Sequence, residues 1–362
     1  MRRRMVVVLT TLCAGSAGCQ APAKASDRKG APAAGGVHKV LHEQINPPTK
    51  RFPKCHCSSI VALPSGDLLA CWYAGEDEAR PDVAVVVSRR AKGAETWTPA
   101  EIVAKTPNKP EGNAILFMMP DGVLWLIYGT MHGKLDGPHG PGVRWVTCDV
   151  RCKTSTDEGR TWSPIRMLRE ELGMVVRNKP IVMDNGEVIF GVENKDSHSR
   201  FWITSDCGKT WHITGPVAGV QNEQPTLIQR KDGSLLAYLR PGFNSYIART
   251  VSKDRGRTWS KATMTKFPNP YAAVDMVKLR DGRVVLAFNN SMRERTPLTL
   301  ALSEDEGATW PYKRDLIAER RSEFSYPAII EDADGMLHVT YTHKRRWIGH
   351  FCLSPAWIKQ KQ

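Results

Sequence analysis

The chain has 362 residues, a formal net charge of +14, and hydrophobic and aromatic contents of 41% and 8%. This length suits one large repeat domain or two ordinary domains, and the composition fits a globular, β-rich protein with a sizeable core. A basic balance favours solubility or an anionic partner such as an acidic sugar, a nucleic acid or a membrane surface. Because the chain has no nucleic-acid-binding motif and no long basic run, we expect an anionic carbohydrate partner and no nucleic acid.

The N-terminal segment looks like an export signal followed by a spacer. Arginines at 2–4 precede an apolar run that is too short to span a membrane as a stable helix. The sequence Ser-Ala-Gly-Cys at 16–19 resembles a bacterial lipobox, which implies lipidation of Cys19; simple secretion is the alternative. We therefore predict a signal peptide at 1–18 and a flexible tether at 19–36, since that stretch is too rich in Ala, Gly, Pro, Lys and Ser to bury a core. The expected location is the bacterial cell envelope, in the periplasm or at the outer membrane, with the lipid as the only membrane contact.

From residue 37 onward the chain repeats a turn that ends in Gly and leads into an apolar strand. Asp-Gly and Asn-Gly between apolar runs are strong hairpin signals. The turn glycines are Gly66, Gly122, Gly186, Gly233, Gly282 and Gly335. Six such turns predict the six blades of an all-β propeller. Because a ring must close without an open edge, we expect an early strand at 37–45 to complete the last blade.

A second motif, close to Ser-x-Asp-x-Gly-x-Thr-Trp, occurs four times at intervals of about 50 residues. The copies begin at Ser155, Ser205, Ser252 and Ser303, and 88–97 looks like a degenerate copy without the Asp. Asp and Ser can hold a turn through backbone amides, Gly permits positive φ, and Trp supplies a large apolar plate. The copies resemble the Asp-box, or BNR repeat, of the sialidase superfamily. The resemblance implies a six-bladed β-propeller of sialidase type over 37–362.

Helices are expected only at 166–172 and 356–360. The stretch 129–150 lengthens the second repeat and holds His132, His139, Arg144 and Trp145 among many Gly and Pro. A long loop in a compact ring favours a lid or a subsite wall, and a disordered insertion is the alternative.

Nine cysteines are present, and two close pairs stand out, Cys55 with Cys57 and Cys148 with Cys152. Export permits disulfides, so we expect disulfides or free thiols. A metal site that includes His56 is conceivable, but the spacing matches no standard zinc pattern. We therefore expect neither a metal nor a cofactor, and a monomeric chain.

The resemblance to sialidases implies six axial residues: three arginines that hold a sugar carboxylate, an Asp acid/base, a Tyr nucleophile and a Glu that activates it. Three positions match, namely Asp82 for the acid and Arg240 and Arg295 for two of the arginines. Different residue types occupy the other three: His56, Gln224 and Phe324.

These differences are chemically serious. Phe cannot attack an anomeric carbon, Gln cannot act as a general base, and His is a weaker, titratable substitute for a guanidinium. Glu223 precedes Gln224 by one residue, and Tyr326 follows Phe324 by two. The chain therefore resembles the divergent, predicted-neuraminidase-like branch of the superfamily, whose strings recur here at residues 56–60, 111–113, 177–180, 224–226 and 324–327.

The remaining polar residues still support glycan chemistry. Candidate catalytic residues are Asp82, His56, Glu111 and Tyr326, with Glu193 as an alternative second carboxylate. Candidate substrate-binding residues are Arg177, Arg240, Arg295, Gln224, Asn113, Asn269 and Asp275. We expect a sialidase-like exo-glycosidase that removes a terminal sugar from an anionic glycan. The alternatives are a lyase for uronate-containing polysaccharide, with His56 or Tyr326 as base, and a carbohydrate-binding propeller without catalysis.

Overall fold

The computed structural model describes residues 40–133 and 145–360. The proposed signal peptide and the whole of the proposed tether, together with His139 and Arg144, lie outside these residues. No helix in the described part is long and apolar enough to cross a bilayer.

The described strands form six antiparallel sheets, which are the predicted six blades of a β-propeller. Strand β1 (Leu41–Gln44) joins the sixth blade, and the others follow in chain order. Blade 1 contains β2 (Lys54–Ala62), β3 (Leu68–Gly75), β4 (Ala84–Arg90) and β5 (Glu101–Ala104). Blade 2 contains β6 (Glu111–Met118), β7 (Leu124–Met131), β8 (Cys148–Ser155) and β9 (Arg166–Arg169). Blade 3 contains β10 (Met174–Val176), β11 (Ile181–Val182), β12 (Val188–Asn194), β13 (Arg200–Thr204) and β14 (His212–Ile213).

The second half of the ring repeats this arrangement. Blade 4 contains β15 (Asn222–Gln229), β16 (Leu235–Pro241), β17 (Ser245–Ser252) and β18 (Thr263–Asn269). Blade 5 contains β19 (Asp275–Lys278), β20 (Val284–Asn289), β21 (Leu298–Ser303) and β22 (Tyr312–Ile317). Blade 6 contains β23 (Phe324–Glu331), β24 (Leu337–His343) and β25 (Trp347–Leu353). Short 3₁₀ helices lie at Trp145–Thr147 and Pro355–Lys359. The segment expected to be helical at 166–172 instead begins with β9, because Met167 pairs with Arg151 on the outer edge of blade 2.

The core lies between the blades. Apolar side chains of adjacent sheets form one cluster at each of the six blade junctions, including the junction between blades 6 and 1. Strands β3 and β7 are buried along their whole length, as expected for strands with sheets on both faces. This rigid ring holds the inner strands around a central axis.

The ring closes as the sequence predicts, because β1 pairs with β25. Glu43 of β1 fastens this closure: its Oε1 accepts from Trp97 Nε1 at 2.9 Å and Arg90 Nη1 at 2.9 Å, and lies 2.8 Å from His350 Nδ1. The Trp of the degenerate motif in blade 1 therefore anchors the closing strand.

The repeated motif forms a self-contained turn. Ser155 Oγ accepts from Gly159 N at 2.7 Å, and Asp157 Oδ1 accepts from Thr161 N at 2.9 Å. The Ser155 hydroxyl, with the Thr161 hydroxyl and amide, lowers the pKa of Asp157. The second copy begins at Thr204, one residue before the predicted start, because the Thr204 hydroxyl takes the role of the Ser.

Candidate functional site

Irregular pairing at the start of the inner strands shapes the centre of the ring. In four blades the register shifts between the first two strands. One residue in each shift has positive φ, namely Cys57 (60°), Asn113 (45°), Gln224 (47°) and Tyr326 (54°). Positive φ is uncommon outside Gly and tends to cluster at functional sites. The bulges therefore mark the inner ends of the strands as a candidate site.

Tyr326 lies at the middle of this site and is 8% exposed. Its hydroxyl accepts a hydrogen bond from Arg240 Nη1 at 2.9 Å. The guanidinium carbons of Arg177 and Arg295 each lie 5.3 Å from its ring centroid, and the His56 ring lies 4.2 Å away, centroid to centroid. Five predicted site residues from five blades are thus brought together.

Phe324, which stands at the nucleophile's position in the sequence, faces elsewhere. It is fully buried beside Tyr341 and His343 inside blade 6. The bulge between Ser325 and Ala328 turns Tyr326 into the site instead. The candidate catalytic residue Tyr326 therefore occupies the centre, although the position of the nucleophile in the sequence falls on Phe324.

The three arginines around Tyr326 differ in their availability. Arg177 is 1% exposed and donates to the backbone carbonyls of Ser58 at 3.3 Å and Pro327 at 2.8 Å. These two hydrogen bonds hold the bulges of β2 and β23 in place. Arg295 donates to Glu323 and to a backbone carbonyl, and its side chain retains 21% exposure. Arg295 can therefore reach a ligand more readily than Arg177 can.

Arg240 combines several contacts. Its guanidinium carbon lies 3.6 Å from the ring centroid of Tyr271, a close cation–π contact, while Nη1 bonds Tyr326. Its Nε lies 3.7 Å from Glu223 Oε2. Burial works to lower the pKa of Arg240, but the charges of Tyr326, Glu193 and Glu223 outweigh it and raise that pKa. Arg240 is a cation held between acidic groups and the central phenol.

A buried acidic corner adjoins Arg240. Burial, followed by the charge of Glu223, raises the pKa of Glu193 to about 7. Burial also raises the pKa of Glu223. Among the described residues, four buried atoms in this corner have no hydrogen-bond partner: Glu193 Oε2, Glu223 Oε2, Gln224 Oε1 and Arg240 Nε. Because buried polar atoms are almost always paired, this corner is suited to a water or to the hydroxyls of a ligand.

His56 is uncharged in this setting. Burial, and then the charges of Arg345, Arg295, Arg177 and Arg240, lower its pKa well below the usual value. Its Nδ1 lies 2.9 Å from Thr342 Oγ1, which also accepts from the Cys57 amide. Burial and the surrounding cations oppose protonation of this imidazole, so it faces the phenol in its neutral form.

Asp82 lies at the exposed edge of the site. Its Oδ2 accepts from Glu76 N at 2.7 Å. The next residue, Val83, packs in one apolar cluster with Cys57, Tyr73 and Tyr326. The carboxylate of Asp82 is therefore anchored in a loop at the rim, where it can meet a ligand that enters from solvent.

Glu111, Asn269 and Asn113 are also buried, and the first two form hydrogen bonds to other groups of the protein. Glu111 accepts from Thr106 N at 2.6 Å and from the Thr130 hydroxyl, and burial raises its pKa. Asn269 bonds both the amide and the carbonyl of Ala272. Asn113 is 3% exposed within the bulge of β6.

Asp275 ties several blades together. It is 1% exposed and accepts from Thr226 Oγ1, Lys179 Nζ and Ile329 N at 2.7–2.9 Å. These partners come from blades 3, 4 and 6. Because Asp275 stands at the start of an inner strand, the sequence predicted a substrate-binding residue at the axis. Its carboxylate instead joins inner strands and does not line the space around Tyr326.

Two residues of the site were not predicted from the sequence to be functional. Arg345 lines a small cavity with His56, Tyr73 and Glu78, and forms ion pairs with Glu78 and Glu323. Tyr271 stacks under Arg240. Arg345 was noticeable only as part of a short basic run, and Tyr271 only as a neighbour of Asn269.

The long loop at 129–150 contributes to the surroundings of the site through Trp145, which the structure describes. Trp145 Nε1 donates to Glu78 Oε1 at 2.8 Å, and its ring lies 6.2 Å from that of Tyr73. His132 pairs with Asp149 at 2.6 Å. Trp145 therefore forms part of the wall next to the cavity at Arg345.

The predicted cysteine pairs are buried free thiols. Cys55, Cys57, Cys148 and Cys152 are all unbridged, and burial raises the pKa of Cys57 to about 11. Within 40–133 and 145–360, no group of three or more His, Cys, Asp or Glu side chains is placed to hold a metal ion.

The fold and the axial cluster define a propeller of the sialidase class. A family model described as a BNR repeat-like domain matches residues 66–339, and the chain belongs to this family as a divergent member of the sialidase superfamily.

Curated relatives include two bacterial proteins named sialidase. The protein of Micromonospora viridifaciens is 25% identical over 399 residues, covering 97% of this chain and 61% of the relative. The protein of Bacteroides fragilis is 22% identical over 307 residues, covering 75% of this chain and 56% of the relative. This chain thus spans less than two thirds of either relative.

Solved structures agree on the fold. The intramolecular trans-sialidase of Ruminococcus gnavus has a TM-score of 0.72 at 16% identity, covering 88% of this chain and 98% of that one. A protein of unknown function from Dyadobacter fermentans has a TM-score of 0.73 at 17% identity, covering 87% and 99%. At these identities the likeness concerns the fold alone.

Proposed function

We propose that this protein is a glycoside hydrolase that removes a terminal acidic sugar from a glycan. The observation that carries the proposal is the phenol of Tyr326, bonded to Arg240 at 2.9 Å and surrounded by guanidinium groups from three blades. Sialidases are the glycosidases that use a Tyr nucleophile. The sialidase relatives support the same class of reaction.

In the proposed reaction, Arg240 and Arg295 bind the carboxylate of the sugar by charge-assisted hydrogen bonds. The oxygen of Tyr326 attacks the anomeric carbon while its proton passes to a water molecule. Asp82 protonates the departing glycosidic oxygen. The Asp82 carboxylate then accepts a proton from water, whose oxygen replaces that of Tyr326 on the sugar. A proton from water restores the phenol of Tyr326, and free sugar is released.

The test compares wild-type protein with Tyr326→Phe, which removes one hydroxyl. Both are incubated with sialyl- and uronate-terminated oligosaccharides, and released acidic sugar is quantified. We expect a loss of at least about a thousandfold in the variant, since a nucleophile cannot be replaced by a bare ring. Tyr246→Phe, at a 43% exposed residue on β17, is the matched control and should retain full activity. A fluorinated acidic sugar that traps the covalent intermediate should add its mass at Tyr326.

A lyase is the second candidate, favoured by the 4.2 Å contact between the rings of His56 and Tyr326. In that reaction a base removes the proton α to a uronate carboxylate, an arginine stabilises the resulting charge, and an acid protonates the leaving oxygen. Ultraviolet absorbance from an unsaturated uronate would identify the lyase. Release of saturated sugar would identify the hydrolase, and binding without either product would leave a carbohydrate-binding propeller.

We also propose export with lipid attachment at Cys19, on the sequence of residues 1–19. Metabolic labelling with a fatty-acid analogue in a bacterial host tests this. Label should enter the wild-type chain and not Cys19→Ala, and a labelled Cys19→Ala chain would contradict the proposal.

A further inference from the structure

A groove of about 560 Å³ lies away from the axis, between the outer strands of blade 4 and the repeated turn of blade 5. Ligand sites commonly have volumes of about 300–1,000 Å³. Three aromatic side chains line it: Tyr238 on β16, Phe267 on β18 and Trp310 in the turn after β21. None of the residues placed around Tyr326 contributes to it.

The aromatic residues form a fixed wall. Trp310 Nε1 donates to the Tyr238 hydroxyl at 3.0 Å, and the ring of Phe267 lies 5.7 Å from Trp310 and 6.3 Å from Tyr238. Trp310 itself is partly exposed. The neighbouring Thr309 is held by Asp305 through its amide at 2.7 Å. A rigid indole at the surface is a suitable platform for the apolar face of a sugar ring.

Three cations surround this wall: Arg249 on β17, Lys266 on β18 and Lys313 on β22. All three are exposed, and Lys313 Nζ lies 4.9 Å from the Phe267 ring centroid. The residues that line the groove include no Asp or Glu. Over the described residues none of the three cations forms an ion pair, although other exposed cations do, as Lys54 does with Asp77 and Lys344 with Glu319.

We propose that this groove is a second carbohydrate site, which binds a saccharide bearing carboxylate or sulfate groups. The partly exposed indole faces the sugar ring while Arg249, Lys266 and Lys313 bind its negative groups. A single compact groove with three cations fits one or two sugar units. It does not form the extended basic track with successive stacking platforms that single-stranded nucleic acid requires. The site holds a glycan without acting on it, so it is independent of the chemistry at Tyr326.

The experiment measures binding by isothermal titration calorimetry with tetragalacturonate, a sulfated tetrasaccharide, neutral maltotetraose and the oligonucleotide dT8. The groove variant is Arg249→Gln with Lys266→Gln and Lys313→Gln. The matched control is Lys209→Gln with Lys253→Gln and Lys261→Gln, which removes three exposed charges elsewhere. Thermal unfolding checks that both variants fold.

We expect wild type to bind at least one of the two acidic saccharides, and the charge it prefers then identifies the ligand class. Loss of three exposed charge contacts should weaken binding about tenfold in the groove variant, against less than about twofold in the control. Any site at the axis remains unchanged in both variants, so failure of the proposed hydrolase leaves this comparison intact. The proposal is overturned if neither acidic saccharide binds, if both variants lose affinity equally, if maltotetraose binds as tightly, or if dT8 binds more tightly.

Discussion

Substitution of Asp275 by Asn tests whether this carboxylate is structural. The change keeps the shape of the side chain but leaves Lys179 Nζ, now 2.7 Å from Asp275 Oδ2, without a counter-charge. Removing one partner of a buried ion pair costs about 3–5 kcal/mol. Since the Lys179 side chain keeps 16% exposure, we expect the lower end, about 3 kcal/mol. For a domain of this size that corresponds to a fall in Tm of roughly 4–6 °C.

The assay is thermal unfolding at neutral pH, with two further variants. Lys179→Met combined with Asp275→Asn removes both charges and should recover part of the loss. Burial already lowers the pKa of Lys179, and the charge of Asp275 opposes that shift, so the single variant should also favour an uncharged Lys179. Asp281→Asn, at an exposed pair with Arg283, is the control and should cost under about 1 kcal/mol. A Tm within about 1 °C of wild type for Asp275→Asn would refute the reasoning.

Three further outcomes are expected. Burial of Glu43 works to raise its pKa, but hydrogen bonds from His350 and Trp97 outweigh it, so the pKa is lowered on folding. This stabilisation is present at neutral pH and is lost as pH falls through the lowered pKa. Glu43→Gln should therefore lower the urea midpoint at pH 7 and have less effect in acid. Glu193 behaves oppositely: its pKa is raised to about 7, so ionisation destabilises the fold as pH rises from about 4.5 to 7. Glu193→Gln should raise Tm at pH 8 and leave it nearly unchanged at pH 4. Arg345→Gln should raise KM for an acidic substrate about tenfold, with a smaller effect on kcat, if Arg345 helps bind its carboxylate.

A specific result would contradict each of these three expectations. An equal loss of stability at both pH values for Glu43→Gln would show that its charge is irrelevant to closure. A lower Tm at pH 8 for Glu193→Gln would mean that its carboxylate is stabilising when ionised. For Arg345→Gln, a fall in kcat with unchanged KM would place the residue outside substrate binding. Arg346→Gln is the control for charge next to Arg345.

The blade count and the repeated turns could be predicted because their causes are local. The glycine turns and the bonds within Ser155–Thr161 involve residues only a few positions apart. The second copy of the motif starts one residue earlier than predicted, and this also has a local cause. The Thr204 hydroxyl accepts the hydrogen bond from the turn Gly that a Ser hydroxyl accepts in the other copies. The 166–172 segment was assigned wrongly because pairing of Met167 with Arg151 overrides helix propensity.

The site was harder to predict because sequence position does not give the direction of a side chain. The shift between Ser325 and Ala328 buries Phe324 and places Tyr326 beside Arg240. Asp275 stands at an inner-strand start, yet it bonds neighbouring strands. Arg345 reaches the cavity through the fold of its turn, and nothing in its local sequence indicates this.

The pairing of β1 with β25 also has a consequence for how the protein is made. Glu43 and His350 are 307 residues apart in the chain, so the closing contact has a very high sequence separation, and such contacts form slowly. During synthesis the five complete blades can assemble while β1 still lacks its partner. Until β25 emerges, the unpaired β1 is open to wrong pairing, and the apolar face of blade 1 that packs against blade 6 is open to aggregation. Closure is therefore the expected late step of folding, and chaperone dependence should be greatest just before it.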